Sequence, residues 1–351
     1  MPKLNRKEFL EALRFVAPAV PDRTPTPVLQ YALLDTFDGK GHLVATDNEV
    51  RVGCKIKADG EIKCLVPVSK LVDLLSACRD EEFNISLTTG GIKIVDSSGS
   101  YTLLTPPIDE FPMAKRETAV TCKTDSVYLG RAFPLVLACI NEKYAGKYIL
   151  NGMRFQSDGN SVLVLGTDTK RLCSCKICDG NLEPFTLPIK AVRLVQNMEG
   201  AISIGCKDGL ATFISEDKYI TSRTLDGSFP EFKFLFDKSA EQPVWSVNIG
   251  ELENSLRKAS IYSDVDSRGV KLVINNLKTQ VLASGADSGK CGIEIKGGCE
   301  KQGTTRVDGK ALYEFVTKIP DSARVIARIG EMVSFTVGDF CQFSMATMEM
   351  I

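Results

Sequence analysis

The chain repeats one pattern three times at a step of about 120 residues, and that period constrains the fold more than any single motif. The stretch Leu65-Val66-Pro67-Val68-Ser69-Lys70-Leu71-Val72 aligns with Phe185-Thr186-Leu187-Pro188-Ile189-Lys190-Ala191-Val192. A weaker third copy is Thr305-Arg306-Val307-Asp308-Gly309-Lys310-Ala311-Leu312. Upstream, Ala12-Leu13, Pro134-Leu135 and Ser255-Leu256 keep the same step. Downstream, so do Leu43-Val44-Ala45-Thr46-Asp47, Val164-Leu165-Gly166-Thr167-Asp168 and Leu282-Ala283-Ser284-Gly285-Ala286-Asp287. Self-similarity at one period predicts three structural units, at residues 1–122, 123–243 and 244–351. Each is large enough to bury its own core.

Within a unit the pattern is α+β. Each opens on a helical spacing: Phe9, Leu10, Leu13 and Val16; Leu135, Ala138 and Cys139; Leu252, Leu256 and Ala259. Asn5 with Glu8 three residues on forms a capping-box pattern. Pro134 is expected in a helix's first turn, where its missing N–H costs nothing. A second short helix is expected at each of the Pro67, Pro188 and Val307 landmarks, with proline in its first turn twice. The remainder alternates as short strands, with Asn84-Ile85-Ser86-Leu87-Thr88 and Ile92-Lys93-Ile94-Val95 turning at Gly90-Gly91. Each unit therefore predicts two helices and roughly eight strands.

Composition excludes several classes of chemistry. A single histidine in 351 residues, His42, leaves little scope for His-based acid–base or triad catalysis. Gly285-Ala286-Asp287-Ser288-Gly289-Lys290-Cys291 mimics a phosphate loop, but it has one residue too few between its glycines and Cys where the metal-binding hydroxyl belongs. Acidic pairs such as Glu81-Glu82 read as solvated loops. No run approaches the roughly 18 apolar residues of a membrane helix. The first residues carry no apolar signal segment, which predicts a cytoplasmic protein. Twelve cysteines in that compartment read as free thiols. Cys173 and Cys175 fall on one face of a predicted strand, and Cys175 with Cys178 forms a lone CxxC. Zinc needs four ligands, no second CxxC exists and the only histidine is His42, so these read as packed thiols with no metal or cofactor.

Several strings, in order along nearly the whole chain, resemble the bacterial DNA polymerase III beta sliding clamp family. They are Lys147-Tyr148-Ile149-Leu150-Asn151-Gly152-Met153-Arg154-Phe155, then Gly166-Thr167-Asp168-Thr169-Lys170-Arg171-Leu172, then Leu225-Asp226-Gly227-Ser228-Phe229-Pro230-Glu231-Phe232. Ser267-Arg268-Gly269-Val270-Lys271-Leu272 and Ala45-Thr46-Asp47-Asn48-Glu49-Val50 extend the match. The resemblance implies three clamp domains per chain, each with two helices and two antiparallel sheets. It also implies a homodimer closing a six-domain ring around double-stranded DNA, with a replicative DNA polymerase and a clamp loader as partners and no catalysis.

Three sets of residues follow from that resemblance. Arg23, Lys147 and Tyr148 match positions near DNA. Lys3, Arg6, Lys7, Arg14, Lys190 and Arg193 are candidates through placement on helices that would line the hole. A cleft for partner peptides is implied at Leu150, Thr167, Lys170, Arg171, Leu172, Pro230, Leu235, Met345, Met348 and Ile351. A dimer seam is implied where the strand bearing Tyr101 and Leu103 meets the helix end at Ile261 and Tyr262 of a second copy. The turn holds Thr169-Lys170 where the family has Gly-His, and methionine-rich walls suit a variant peptide.

Charge distribution agrees with a pore. Helix windows 3–16, 69–77, 131–142, 188–197, 251–259 and 309–318 hold twelve basic and seven acidic residues, although the whole chain carries a net charge of -1. Sequence-independent phosphate contacts from such helices suit a protein that slides. Two alternative readings stand beside it: an interaction scaffold that never closes, and a thiol- or metal-dependent enzyme on the same repeated scaffold, against which the single histidine and the lack of paired ligand motifs argue.

Overall fold

The computed structural model describes residues 2–112, 120–142, 148–264 and 268–348. Among them are seven α-helices: α1 Arg6–Val16, α2 Val68–Ala77, α3 Ser126–Leu137, α4 Ile189–Val195, α5 Lys233–Ala240, α6 Ile249–Ala259 and α7 Gly309–Val316. The chain divides into two compact units, Met1–Ser126 with Lys190–Thr224, and Val127–Ile189 with Leu225–Ile351. No helix among the described residues is long and apolar enough to cross a membrane.

The first unit is built on an eight-stranded antiparallel sheet. Its order is Ile62–Pro67, Tyr31–Phe37, Lys40–Thr46, Val50–Lys57, Lys218–Arg223, Leu210–Ile214, Ala201–Lys207, Cys122–Asp125. Two four-stranded halves meet where Val50–Lys57 pairs with Lys218–Arg223, with Val52 opposite Ile220. A separate four-stranded sheet runs Lys3–Asn5, Glu82–Thr88, Gly91–Val95, Ser100–Leu104. Phe83 and Ile85 alternate inward along their strand, and Gly90, at φ +83°, turns the chain into the next. The Asn5 side chain accepts from the N–H groups of Lys7 and Glu8 at 3.0 and 3.1 Å, so the cap lies where the sequence puts it. Phe9, Leu13 and Val16 are buried on the inner face of α1, which packs on the strand Val50–Lys57 and on α2. Burying each such side chain contributes roughly 1.5–3 kcal/mol.

The second unit repeats the plan. Its eight-stranded sheet runs Phe185–Pro188, Gly152–Asp158, Ser161–Thr167, Arg171–Asp179, Cys341–Ala346, Met332–Val337, Val325–Ile329, Val244–Trp245. The halves join where Arg171–Asp179 pairs with Cys341–Ala346, with Cys173 opposite Phe343. Its four-stranded sheet runs Gly289–Lys296, Lys278–Gly285, Gly269–Ile274, Gly303–Asp308. Phe315 stacks on Phe343 at 3.8 Å in the core, beside Phe335 and Trp245. The Trp245 indole donates to the Thr279 hydroxyl at 2.9 Å.

Three local expectations change. Pro134 lies inside α3 rather than in its first turn, because that helix begins at Ser126. The carbonyl left without its helical donor is on Gly130, which is exposed to solvent. Pro67 and Pro188 sit just before α2 and α4, closing strands. The third copy lacks that proline, and Asp308 takes its place by accepting from the Ala311 N–H at 2.9 Å. Helix α5 has no counterpart in the repeat and was not expected; its Phe236 and Ser239 are buried while Phe234 is 60% exposed.

Candidate functional site

Two Thr-Asp turns have the same internal bonding. In the first, the Thr46 hydroxyl donates to the Val50 carbonyl at 2.8 Å and accepts from the Asn48 N–H. One oxygen of Asp47 accepts from the N–H groups of Glu49 and Val50. In the second, Thr167 donates to the Arg171 carbonyl at 2.7 Å and accepts from Thr169, while Asp168 accepts from Lys170 and Arg171. Asn48 and Thr169 occupy the left-handed region at φ +76° and +75°. The second oxygen of each aspartate holds a basic group, Lys190 for Asp47 and Arg171 for Asp168.

The second turn carries the candidate cleft residues. Arg171 has only 10% of its side chain exposed; its guanidinium also reaches the Ala311 carbonyl at 2.8 Å and Glu314 at 3.1 Å. Burial alone would depress its pKa, but the neighbouring Cys139, Asp168 and Glu314 hold it above the ordinary arginine value. Leu172 is buried with Leu165, Phe232 and Phe236, and Leu163, Phe229 and Leu235 lie half-buried against them. This gives an apolar surface beside an exposed Lys170 and Pro230. Met345 is buried opposite Arg171 on the neighbouring strand. Met348 is half-buried, and its N–H donates to the Arg306 carbonyl at 2.7 Å. Leu150 is buried in the short turn Tyr148–Asn151. The structure thus brings Thr167, Lys170, Arg171, Leu172, Leu235 and Met345 together; Ile351 lies outside the described residues.

The helix-borne basic residues sort by exposure. Lys7 and Arg14 project from the outer face of α1, and Lys190 and Arg193 from α4. Arg6 does not: its guanidinium donates to the carbonyls of Asp80 and Leu75, tying α1 to the end of α2. Lys3 is ion-paired to Glu82. Arg23 is exposed, Tyr148 is 69% exposed, and Lys147 lies outside the described residues. Sequence reasoning missed Lys70, Arg131, Arg257, Lys258 and Lys310, which are likewise exposed. Across α1–α4, α6 and α7 the exposed acidic residues are only Glu8, Glu11, Asp73 and Glu251.

Profiles of known families decide the identity. That of the DNA polymerase III beta subunit N-terminal domain matches residues 3–115, and that of its central domain matches residues 136–231, together more than half of the chain. The chain belongs to the DNA polymerase III beta subunit family. It is similar to the beta sliding clamp of Haemophilus influenzae, 24% identical over 296 residues that cover 81% of this chain and 80% of that one. It is similar to the clamp of Pseudomonas putida, 24% identical over 310 residues and 83% of each. The fold matches the crystal structure of the DNA polymerase III subunit beta from Pseudomonas aeruginosa with a TM-score of 0.91 at 19% identity, covering both chains fully. It also matches the beta subunit from Thermotoga maritima, with a TM-score of 0.86 at 20% identity and full coverage of both chains.

Of the residues that the beta subunit resemblance assigns to a dimer seam, Tyr101 and Leu103 are half-buried on Ser100–Leu104. That strand is the edge of its sheet, without a further strand partner among the described residues. Ile261 is 70% exposed at the end of α6. The Tyr262 carbonyl accepts from the Ser288 hydroxyl at 2.9 Å and so braces the hairpin leading into Gly289–Lys296. Sequence reading missed this last strand, the edge of the other four-stranded sheet. Its signal was weak because Gly289 and Gly292 interrupt the alternation.

Proposed function

We propose that this chain is a sliding clamp. Two copies close head to tail into a ring of six domains around duplex DNA, with domains at 1–122, 123–243 and 244–351 of each copy. The ring keeps a replicative polymerase on the template without taking part in its chemistry. A clamp loader opens and closes it, and the work is done in the cytoplasm. Its hold is topological, so phosphate contacts from the exposed lysines and arginines need only be weak and sequence-independent.

One observation carries this reading. Twice along the chain, two four-stranded half-sheets fuse into eight strands, and two four-stranded sheets remain with open edges, Ser100–Leu104 and Gly289–Lys296. Open edges that can pair invite association, and a closed ring removes them. The internal joints also supply a register. Val52, which faces Ala45 in its hairpin, lies opposite Ile220 across the first joint. Cys291 faces Ala283 in its own hairpin. Ile220 follows the Ile214–Tyr219 pair by one residue, as Tyr101 follows Val95–Ser100. Tyr101 of one copy therefore lies opposite Cys291 of the next.

The apolar surface around Leu172, Phe229 and Leu235 then serves clients. A short peptide inserts apolar anchors there, and a few buried contacts dominate its affinity. Arg171 is already committed to Asp168, Ala311 and Glu314, so it shapes the wall, while the exposed Lys170 is available to a peptide carboxylate. The test is a solution mass of twice 38.3 kDa together with loader-dependent stimulation of primer extension on a circular template. A monomer that stimulates equally would contradict the ring.

A further inference from the structure

We propose that Cys139, Cys173, Cys175 and Cys341 form a buried four-thiolate site for one structural zinc ion. Cys173 and Cys175 alternate along Arg171–Asp179 and share a face. Cys341 opens the adjacent strand directly opposite Cys175. Cys173 lies 3.8 Å from Cys175 and 3.7 Å from Cys341, and the three sulfurs are mutually within 4.8 Å. Cys139, just past the end of α3, stands outside this triangle with its thiol on the Leu135 carbonyl at 3.8 Å, and turning that side chain would bring in the fourth sulfur. Four zinc–sulfur bonds of about 2.3 Å in a tetrahedron place the sulfurs about 3.8 Å apart, the spacing of the two sides of this triangle that meet at Cys173.

All four thiols are buried, at no more than 2% exposure. A bound zinc would give the group a net negative charge, and the Arg171 guanidinium is electrostatically coupled to Cys139. The cluster is particular to this joint. The matching positions of the first unit place Val52 and Cys54 opposite Ile220 and Lys218, with a single thiol. Binding forms four zinc–sulfur bonds and breaks four S–H bonds, with the protons leaving to solvent. The ion would pin the strand that carries Arg171 and Leu172 to its neighbour and to the end of α3.

The test uses the full chain loaded with zinc, freed of excess by gel filtration and analysed for metal. About one zinc per chain is expected. Cys341→Ser and Cys139→Ser should lose it, while Cys78→Ser, outside the cluster, should keep it. Cobalt in place of zinc should give intense sulfur-to-metal charge-transfer bands. Chelation should lower Tm in the unaltered protein, and zinc should restore it, a readout that needs no variant to fold. Absence of retained metal overturns the site, as does full zinc in Cys341→Ser. Fewer than twelve titratable thiols in denatured, metal-free protein would also overturn it, by showing a disulfide.

Discussion

Arg171 donates to Asp168 at 2.9 Å, within the same turn, and to the Ala311 carbonyl at 2.8 Å on α7. One side chain therefore fixes both the turn and the helix that border the apolar surface at Leu172. Arg171→Ala leaves Asp168, whose side chain is 15% exposed, and the Ala311 carbonyl without this donor. The expected loss is about 1–3 kcal/mol of stability, seen as an earlier denaturant midpoint. Lys170→Ala should leave that midpoint unchanged and weaken client-peptide binding in a titration.

The two Thr-Asp turns were legible in sequence as landmarks, because a threonine and an aspartate four and three positions before a strand bond to nearby backbone groups. Their outward connections were not, because Asp47 to Lys190 and Arg171 to Glu314 span 143 residues each. The strand patterns of the first repeat were legible through alternation. Helix α5 was not, since Lys233-Phe234-Leu235-Phe236 fits no clean period. Cys341 could not be joined to Cys173 from spacing, because only strand pairing brings them together.

Asp96 closes the hairpin that presents Ser100–Leu104. Hydrogen bonds from the Ser98 hydroxyl, the Cys78 thiol and the N–H groups of Gly99 and Ser98 hold its pKa below the ordinary carboxylate value. A depressed pKa contributes stability that is present above the unfolded value of about 3.9 and lost as pH falls through the folded one. The Tm difference between the parent protein and Asp96→Ala should be constant near neutrality and shrink below about pH 4. A difference independent of pH would assign the effect to packing.

The seam register makes a chemical prediction. Ile220 and Val52 form a non-hydrogen-bonded pair, flanked by the Lys55-to-Asp217 and Arg223-to-Glu49 backbone bonds, and side chains approach most closely at such pairs. Tyr101→Cys should therefore form a disulfide with Cys291 of a second copy under mild oxidant. Non-reducing electrophoresis should show a covalent dimer. Thr102→Cys, facing the opposite side, should give little.

Arg6 and Arg193 should behave differently despite equal charge. Arg6 is spent on the carbonyls of Asp80 and Leu75, so Arg6→Ala should lower Tm with little change in the salt dependence of DNA binding. Arg193 is exposed on α4. Arg193→Ala should reduce the slope of log affinity against log salt by about 1.

Encirclement itself is tested most directly by topology. The protein is loaded onto nicked circular DNA, separated from free protein, and the circle is then cut once. Retention on the closed circle followed by loss on linearisation is the expected result, because a ring slides off an open end. Equal retention on circular and linear DNA would show that contacts hold the protein and would contradict the clamp.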